Sequence, residues 1–408
     1  MHARYVAAWN EPRKVALTPV GLLALALGGF GIGLTEFVIA GLLTPVANDL
    51  GVSVPTAGYL VSGYALAVVF GALALPPLLA KWAPKRALLL LMVLFVVGNA
   101  ISALAPGYAA LLAGRVVAAL AHGAFFGIGS VLASALVAKE KQAGAISIMF
   151  GGLTLANVLG VPMGTFVGQQ WGWRATFATI AVVGVVSFAG IAALVPDAHA
   201  ESSERSLRAE LAVFSRAQVW YSLGMTVLVF GGMFGAFMYI EPLLTRVTGF
   251  DDGAVPWLLV LFGVGLFGGN LLGGRLADAA LRRTLTTWTL ALGIVLVVFA
   301  LVPGNKVAAA ALLLAMGFFG FGTVPGLQMR VMRYADEAPT LASSANIAAF
   351  NVGNFLGVWI GGLAIAAGHG FGSTLWVGAG FAFAGLGVLL FADARSSARS
   401  TAAPAVAC

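Results

Sequence analysis

The sequence predicts an all-α polytopic membrane protein, with twelve transmembrane helices in two parallel six-helix halves and both termini cytoplasmic. Three observations carry this. First, 60% of the 408 residues are hydrophobic and 9% are charged, with a mean hydropathy of +0.99, whereas charged residues make up about a quarter of a soluble domain. Apolar runs near or above 18 residues recur along the chain, each long enough to cross a hydrocarbon core of about 30 Å as a helix. The short alternating segments of a barrel are absent. Second, with the N-terminus in the cytoplasm, all but four of the 22 lysines and arginines gather on one face. Arg174, Arg246 and Lys306 fall on the other, and Arg115 lies inside a helix. This is a positive-inside bias, so the net charge of +7 reflects topology and does not argue for nucleic acid. Third, the second half repeats the first. Phe125-Phe-Gly-Ile-Gly-Ser-Val131 returns as Phe318-Phe-Gly-Phe-Gly-Thr-Val324, Asn157-Val-Leu-Gly-Val-Pro-Met-Gly164 as Asn354-Phe-Leu-Gly-Val-Trp-Ile-Gly361, and Leu42-Leu-Thr-Pro-Val46 as Leu243-Leu-Thr-Arg-Val247. The offsets are 193, 197 and 201. Six spans per copy keep the orientation, so a site is expected between the halves near the midplane.

Breaking the chain at its polar gaps gives the spans in order. The first, 17–46, follows a basic stretch but is too long for a secretory core of about 7–15 apolar residues, so it is read as an uncleaved helix. Spans 54–80 and 86–104 are separated by Lys81, Lys85 and Arg86. Span 108–137 carries Arg115 and His122. Span 141–168 carries Gly151, Gly152, Gly160, Pro162, Gly164 and Gly168, small residues that let helices approach and a proline that bends one. After 173–195 comes the one sizeable polar stretch, 197–216, which separates 1–196 from 217–408. Leu207, Leu211 and Phe214 stand at i, i+4 and i+7 there, which suits a short interfacial helix as well as a solvated linker. The second half reads 217–247, 254–277, 284–302, 306–333, 339–367 and 372–392. The single cysteine, Cys408, forms no intrachain disulfide, offers no metal site, and is not placed for prenylation.

Three stretches are the most specific: Gly33-Leu-Thr-Glu36-Phe-Val-Ile-Ala-Gly-Leu-Leu43, Arg115 through His122-Gly-Ala-Phe-Phe126-Gly127, and Gly160-Val-Pro162-Met-Gly164. Through them, and over residues 15–393, the chain resembles the major facilitator superfamily. Within it, the likeness is to the twelve-span drug:proton antiporters, close to arabinose-efflux-like and chloramphenicol-resistance-like exporters. The family's signature loop is recognisable as Gly274-Arg-Leu-Ala-Asp278, ending Arg282-Arg283. In the first half Lys81 stands where that motif has its Asp, and the stretch ends Lys85-Arg86. The resemblance implies that the Asp holds the cytoplasmic gate shut against a helix N-terminus of the other half, so a latch would rest mainly on Asp278. Lys81, Lys85 and Arg86 serve equally well as topology determinants. The resemblance also assigns the fifth span to the interface between halves, where its bending governs the switch, although Gly160-x-Pro162 replaces the usual adjacent Gly-Pro.

Glu36 is the residue that most needs a reason. At a helix centre in a bilayer a charged carboxylate costs roughly 2.5–3.5 kcal/mol on insertion scales, so it marks a functional site by default. It lies about eight residues, or roughly 12 Å, from the outer helix end, and Arg115 about seven, or roughly 10 Å. The resemblance puts both their spans along the central cavity, so a contact between the two is open to them. His122 is two turns beyond Arg115 on nearly the same face. An imidazole changes charge near neutral pH, as proton coupling requires. Glu36 is therefore read as the principal proton carrier, with Arg115 and His122 tuning it or relaying. The alternatives are a buried ion pair, a snorkelling arginine and a packing histidine. The second copy has Met233 or Phe237 near the matching place, so protons are assigned mainly to the first half. Glu241 reads as an interfacial carboxylate facing water more readily than as a second carrier. Tyr64, Phe126, Asn157, Tyr239, Gln328, Asn346 and Asn351 are candidate cavity residues, a mixture of aromatic and polar groups suited to a drug-sized ligand.

The function these readings imply is proton-coupled secondary active export of small organic molecules, drugs or antibiotics among them, by alternating access. Sugar or metabolite efflux is the alternative. A membrane enzyme is disfavoured by the absence of His-Glu-x-x-His, paired intramembrane aspartates and a P-loop, and a non-transporting sensor would not need Glu36. The expected partners are a small-molecule substrate, protons and the lipid bilayer, with no cofactor. The expected state is a monomer spanning the bacterial cytoplasmic membrane many times.

Overall fold

Backbone polar groups find no water in hydrocarbon, so an apolar run satisfies them internally as helix. The computed structural model follows that rule. It describes residues 19–402 apart from 80, 136, 138–141, 197–211, 336 and 338. The expected interfacial helix at Leu207 and Leu211 lies outside the described residues, and Phe214 sits in a single turn, Ala212–Ser215. The N-terminal helices are α1 (Pro19–Phe37), α2 (Leu43–Leu50), α3 (Val54–Leu79), α4 (Pro84–Ala103), α5 (Tyr108–Ala135), α6 (Gln142–Leu155), α7 (Val161–Trp171) and α8 (Trp173–Leu194). The C-terminal helices are α9 (Ala217–Met238), α10 (Ile240–Arg246), α11 (Val255–Leu301), α12 (Lys306–Gly322), α13 (Val324–Tyr334), α14 (Pro339–Ala364) and α15 (Ser373–Ala402).

Among the described residues, eleven helices are long and apolar enough to cross a membrane. One of them, Asp252–Leu301, has 50 residues, which at about 1.5 Å per residue is more than twice a hydrocarbon core. Its backbone leaves helical geometry at Ala280 (φ −154°, ψ 71°), inside the charged stretch expected to part spans 254–277 and 284–302. Other spans are interrupted where the sequence read them as continuous. The first stops at Phe37, passes through a tight turn at Val38–Gly41 and resumes as α2. The seventh stops at Met238 and resumes as α10. These two breaks fall just ahead of the repeated Leu-Leu-Thr segments, so the repeat is one of shape as well as sequence. The fifth span widens into a π-turn at Ala156–Gly160, with Pro162 in the first turn of α7, and the tenth breaks at Thr323.

Lipid tails are as apolar as leucine, so these helices gain by close backbone approach. On α9, Gly231 and Gly235 lie one turn apart and face Gly353 and Gly357 of α14. A Cβ on Gly231 would stand 2.6 Å from the carbonyl oxygen of Gly353, and one on Gly235 2.6 Å from the carbonyl carbon of Gly357. The N-terminal and C-terminal helices meet in the same way at the π-turn, where a Cβ on Gly263 of α11 would fall 2.8 Å from Cα of Val158.

Lys81, Lys85, Arg86, Arg275, Arg282, Arg283 and Arg333 mark one end of the bundle, the basic end, and Arg174, Arg246 and Lys306 the opposite end. Hydrogen bonds tie the two sets of helices together toward the opposite end: Thr44 N–H to Glu241 Oε2 (3.1 Å), Arg246 Nη2 to Thr44 Oγ1 (3.4 Å), and Gln169 Nε2 to the Asp252 carbonyl (2.8 Å).

The glycine seam gives a direct test. Gly357→Val is expected to cost about 1–3 kcal/mol of stability, the usual penalty of overpacking. Gly380→Ala, where an added Cβ meets open space, should not lower the melting temperature of the purified protein, since alanine is the better helix former.

Candidate functional site

Glu36 occupies the last turn of α1, immediately before the chain leaves helical geometry. It is 6% exposed, so its carboxylate must find partners within the protein. Two side chains supply them. From the C-terminal helices, Asn354 of α14 donates Nδ2–H to Oε1 at 3.2 Å. From α5, His122 brings Nε2 to 3.9 Å from Oε2, too far for a hydrogen bond. The other ring nitrogen, Nδ1, lies 3.3 Å from the Tyr64 hydroxyl of α3. An imidazole protonated at Nε2 accepts that hydroxyl and turns its own N–H toward Glu36. Tyr64, His122, Glu36 and Asn354 thus form one chain of contacts that runs from the N-terminal helices into the C-terminal ones.

Arg115 makes no hydrogen bond or ion pair with Glu36 among the described residues, although its charge lies close enough to act on that carboxylate. Its Nη1 donates to the backbone carbonyl of Thr35 at 2.7 Å and its Nε to that of Leu60 at 3.4 Å. Its guanidinium lies 4.5 Å from the centre of the Tyr64 ring, a cation–π contact. The physical reason is the break after Phe37. The last carbonyls of a helix have no intrahelical partner and carry the negative end of its dipole, and Arg115 satisfies one of them. The adjacent Thr35 hydroxyl donates to Asn99 Oδ1 at 2.9 Å, so the end of α1 is fixed by α3, α4 and α5 together.

Of the candidate cavity residues, Phe126 is the best joined to this centre. Its ring is 5.5 Å from that of His122 and stacks on Phe150 at 4.8 Å. Beyond Glu36, Phe37 meets Phe234 at 5.4 Å, and Phe230, Phe321 and Phe350 continue the aromatic cluster. Tyr239 is a lock between helices: its hydroxyl donates to the Val358 carbonyl at 3.1 Å and its ring fills the space beside Gly58 of α3. Gln328 and Asn346 bond each other at 2.7 Å, and also Ser343 and Thr226, which makes them a closed network within the C-terminal helices. Asn157 and Asn351 each donate to a carbonyl of their own helix, leaving Oδ1 buried without a partner.

Glu241 departs from its sequence reading. It is 4% exposed and accepts the N–H of Thr44 in the first turn of α2, where an anion suits the unsatisfied donors. Among the gating residues, Gly160 and Gly164 sit against Phe30, Leu34 and Val38 of the first span, and Gly274 only grazes Pro325, the tighter approach being that of Gly273 to Gly322. Lys81 and Arg86 are exposed, with Lys85 half-buried. Asp278, Arg282 and Arg283 line a cavity at the basic end, and Arg282 Nε also binds Asp393 Oδ2 at 2.8 Å. Sequence reasoning missed Asn354 as a site residue, although the repeat had matched it to Asn157. It also missed Asp393 and Arg330, which join at 3.0 Å.

Comparison with known proteins gives consistent matches. The family model "Major Facilitator Superfamily" matches residues 25–348 and 223–406. The chain is 45% identical over 375 residues to the inner membrane transport protein YdhP of Escherichia coli strain K12, covering 92% of this chain and 96% of that one. It is 34% identical over 341 residues to a chloramphenicol resistance protein of Streptomyces lividans, covering 82% and 86%. Among solved structures, a bacterial homolog of the human lysosomal transporter Spinster, inward-facing and occupied, superposes with a TM-score of 0.73 at 18% identity, covering 91% and 96%.

Arg115→Lys keeps the charge but loses the guanidinium fork that spans two carbonyls. It is expected to lower stability by about 1–3 kcal/mol, the cost of a buried acceptor left unsatisfied, read as a drop in the melting temperature of the purified protein.

Proposed function

The chain belongs to the major facilitator superfamily, a family of membrane transporters, and on that premise we propose that it is a proton-coupled secondary active exporter of small organic molecules, drugs or antibiotics among them. The observation that carries this reading is the contact of Glu36 with Asn354, a buried carboxylate bonded across the two sets of helices. A bond to a charged acceptor is roughly twice as strong as one between neutral groups. Taking up a proton at Glu36 therefore weakens a tie between the sets, and losing it restores the tie. A proton so placed binds the two arrangements unequally, which is what a ligand must do to shift a conformational equilibrium. His122 at 3.9 Å and Tyr64 behind it supply a route for that proton.

In this reading the 50-residue helix counts as two crossings broken at Ala280, giving twelve in all. Residues 1–196 and 217–408 form the two parallel bundles, and the basic end, with both termini, faces the cytoplasm. The Glu241–Thr44 contact then seals the outer face, and Asp278 acts at the cytoplasmic gate. The aromatic pair Phe126 and Phe150 and the separate group of Phe37, Phe230 and Phe234 suit a planar, largely apolar ligand, and the likeness to a chloramphenicol resistance protein supports the same class of cargo.

The test is export from proteoliposomes under an imposed pH gradient, with chloramphenicol-like antibiotics and pentoses as candidate cargoes. Glu36→Gln is expected to abolish gradient-driven export while leaving exchange of substrate across a membrane without a gradient. Full gradient-driven export by that variant overturns the assignment of Glu36, and flux confined to pentoses moves the cargo to sugars. The outer seal has its own test. With Cys408 replaced and a cysteine placed at Ser62, Glu241→Ala should raise labelling by an impermeant maleimide from outside about fivefold, the equivalent of one lost hydrogen bond at about 1 kcal/mol.

A further inference from the structure

Where α11 breaks at Ala280, the basic end contains a cavity of about 1090 Å³. Its walls come from the C-terminal helices alone and combine two chemistries. Arg282, Arg283 and Arg333 stand against a single carboxylate, Asp278, while Met329 and Met332 make an apolar floor. Arg282 is held by Asp393 at 2.8 Å. The guanidiniums of Arg283 and Arg333 make no ion pair or hydrogen bond among the described residues, although both side chains line the same space. Two unengaged guanidiniums in one cavity are suited to a phosphate, whose oxygens match the fork geometry of arginine.

The surroundings favour a lipid as the source of that phosphate. Thr287, Leu290 and Ile294 lie four, seven and eleven residues after Arg283, so they continue up one face of the helix away from the basic end. All are exposed. On α15, exposed Leu390 lines the cavity, and exposed Phe383 lies two turns beyond it. Two apolar tracks thus leave a basic cavity and run into the depth of the bilayer. On the topology proposed above, the basic end faces the leaflet whose surface carries anionic lipid.

We propose that this cavity binds an anionic phospholipid, with its phosphate between Arg283 and Arg333 and its acyl chains along Leu290, Ile294 and Leu390. The site lies outside the Glu36 centre, and its test needs no transport. The purified full-length protein in detergent is titrated with phosphatidylglycerol, phosphatidylethanolamine or inorganic phosphate, reading retained lipid by native mass spectrometry and the melting temperature in parallel. Phosphatidylglycerol is expected to be retained and to raise the melting temperature. Its apparent affinity should fall about fivefold for each arginine removed in Arg283→Gln and Arg333→Gln, and stay unchanged in Arg275→Gln, on the same end but outside the cavity lining. Should the double variant aggregate, the two single variants carry the same comparison. Unchanged phosphatidylglycerol retention in both, equal retention of phosphatidylethanolamine, or a full thermal shift from inorganic phosphate alone would each overturn the proposal.

Discussion

A carboxylate buried in the last turn of α1 constrains everything built around it. The helix must end there, because the turn at Val38–Gly41 redirects the chain, and an ended helix exposes carbonyls that need donors. Arg115 reaches across from α5 to supply one at Thr35. That donor brings a second buried charge, and the Tyr64 ring beneath the guanidinium helps hold it. The carboxylate itself needs an N–H, and the donor at 3.2 Å comes from the other set of helices, at Asn354. Each group answers a cost created by the one before it, since a polar atom left unpaired in a low-dielectric interior costs about 1–3 kcal/mol.

The two repeated segments share one backbone plan but carry different chemistry. Both copies interrupt the first helix just ahead of the repeated Leu-Leu-Thr segment, at Val38–Gly41 and at Tyr239. In the first copy the break holds Glu36 on its helical side. In the second, Phe234 and Phe237 fill the corresponding region, while Glu241 lies just beyond the break. One backbone plan therefore presents two carboxylates at two depths. The deeper one meets a histidine and an amide, and the shallower one meets the first turn of α2.

Much of this was legible in the sequence. Hydropathy reveals the membrane-length helices because lipid leaves a chain few alternatives to helix. Glu36 and His122 stood out because ionisable groups in apolar runs are expensive. What was not legible is where helices stop within a span. A proline follows each break, Pro45, Pro242 and Pro325, and withholds an N–H from the helix before it, but a proline alone does not tell a break from a bend, and only the packed helices show which carbonyls are left open. For that reason depth alone left Arg115 open to the Glu36 carboxylate, when the end of α1 gave it the Thr35 carbonyl. The burial of Glu241 was hidden in the same way, since the α2 terminus that receives it exists only once the first span has broken. Gln328 and Asn346 looked like cavity residues because composition cannot tell a polar side chain turned to a ligand from one closed on Thr226 and Ser343.

The two ends of the bundle differ in how their charges are satisfied, and that difference bears on switching. At the basic end, buried Asp393 takes Arg330 on one oxygen and Arg282 on the other, and all three belong to the C-terminal helices. Separating the two sets there leaves this cluster intact, so no buried charge is stranded. At the opposite end, Glu241 is satisfied by Thr44 of the other set, and separation takes its donor away. Opening the opposite end must therefore be accompanied by water reaching Glu241 or by a proton arriving on it. The cost of separating the sets thus falls on the end where a carboxylate is shared between them. The Glu36–Asn354 contact is shared between the sets in the same manner, but deeper, so it too loses its donor when the sets part.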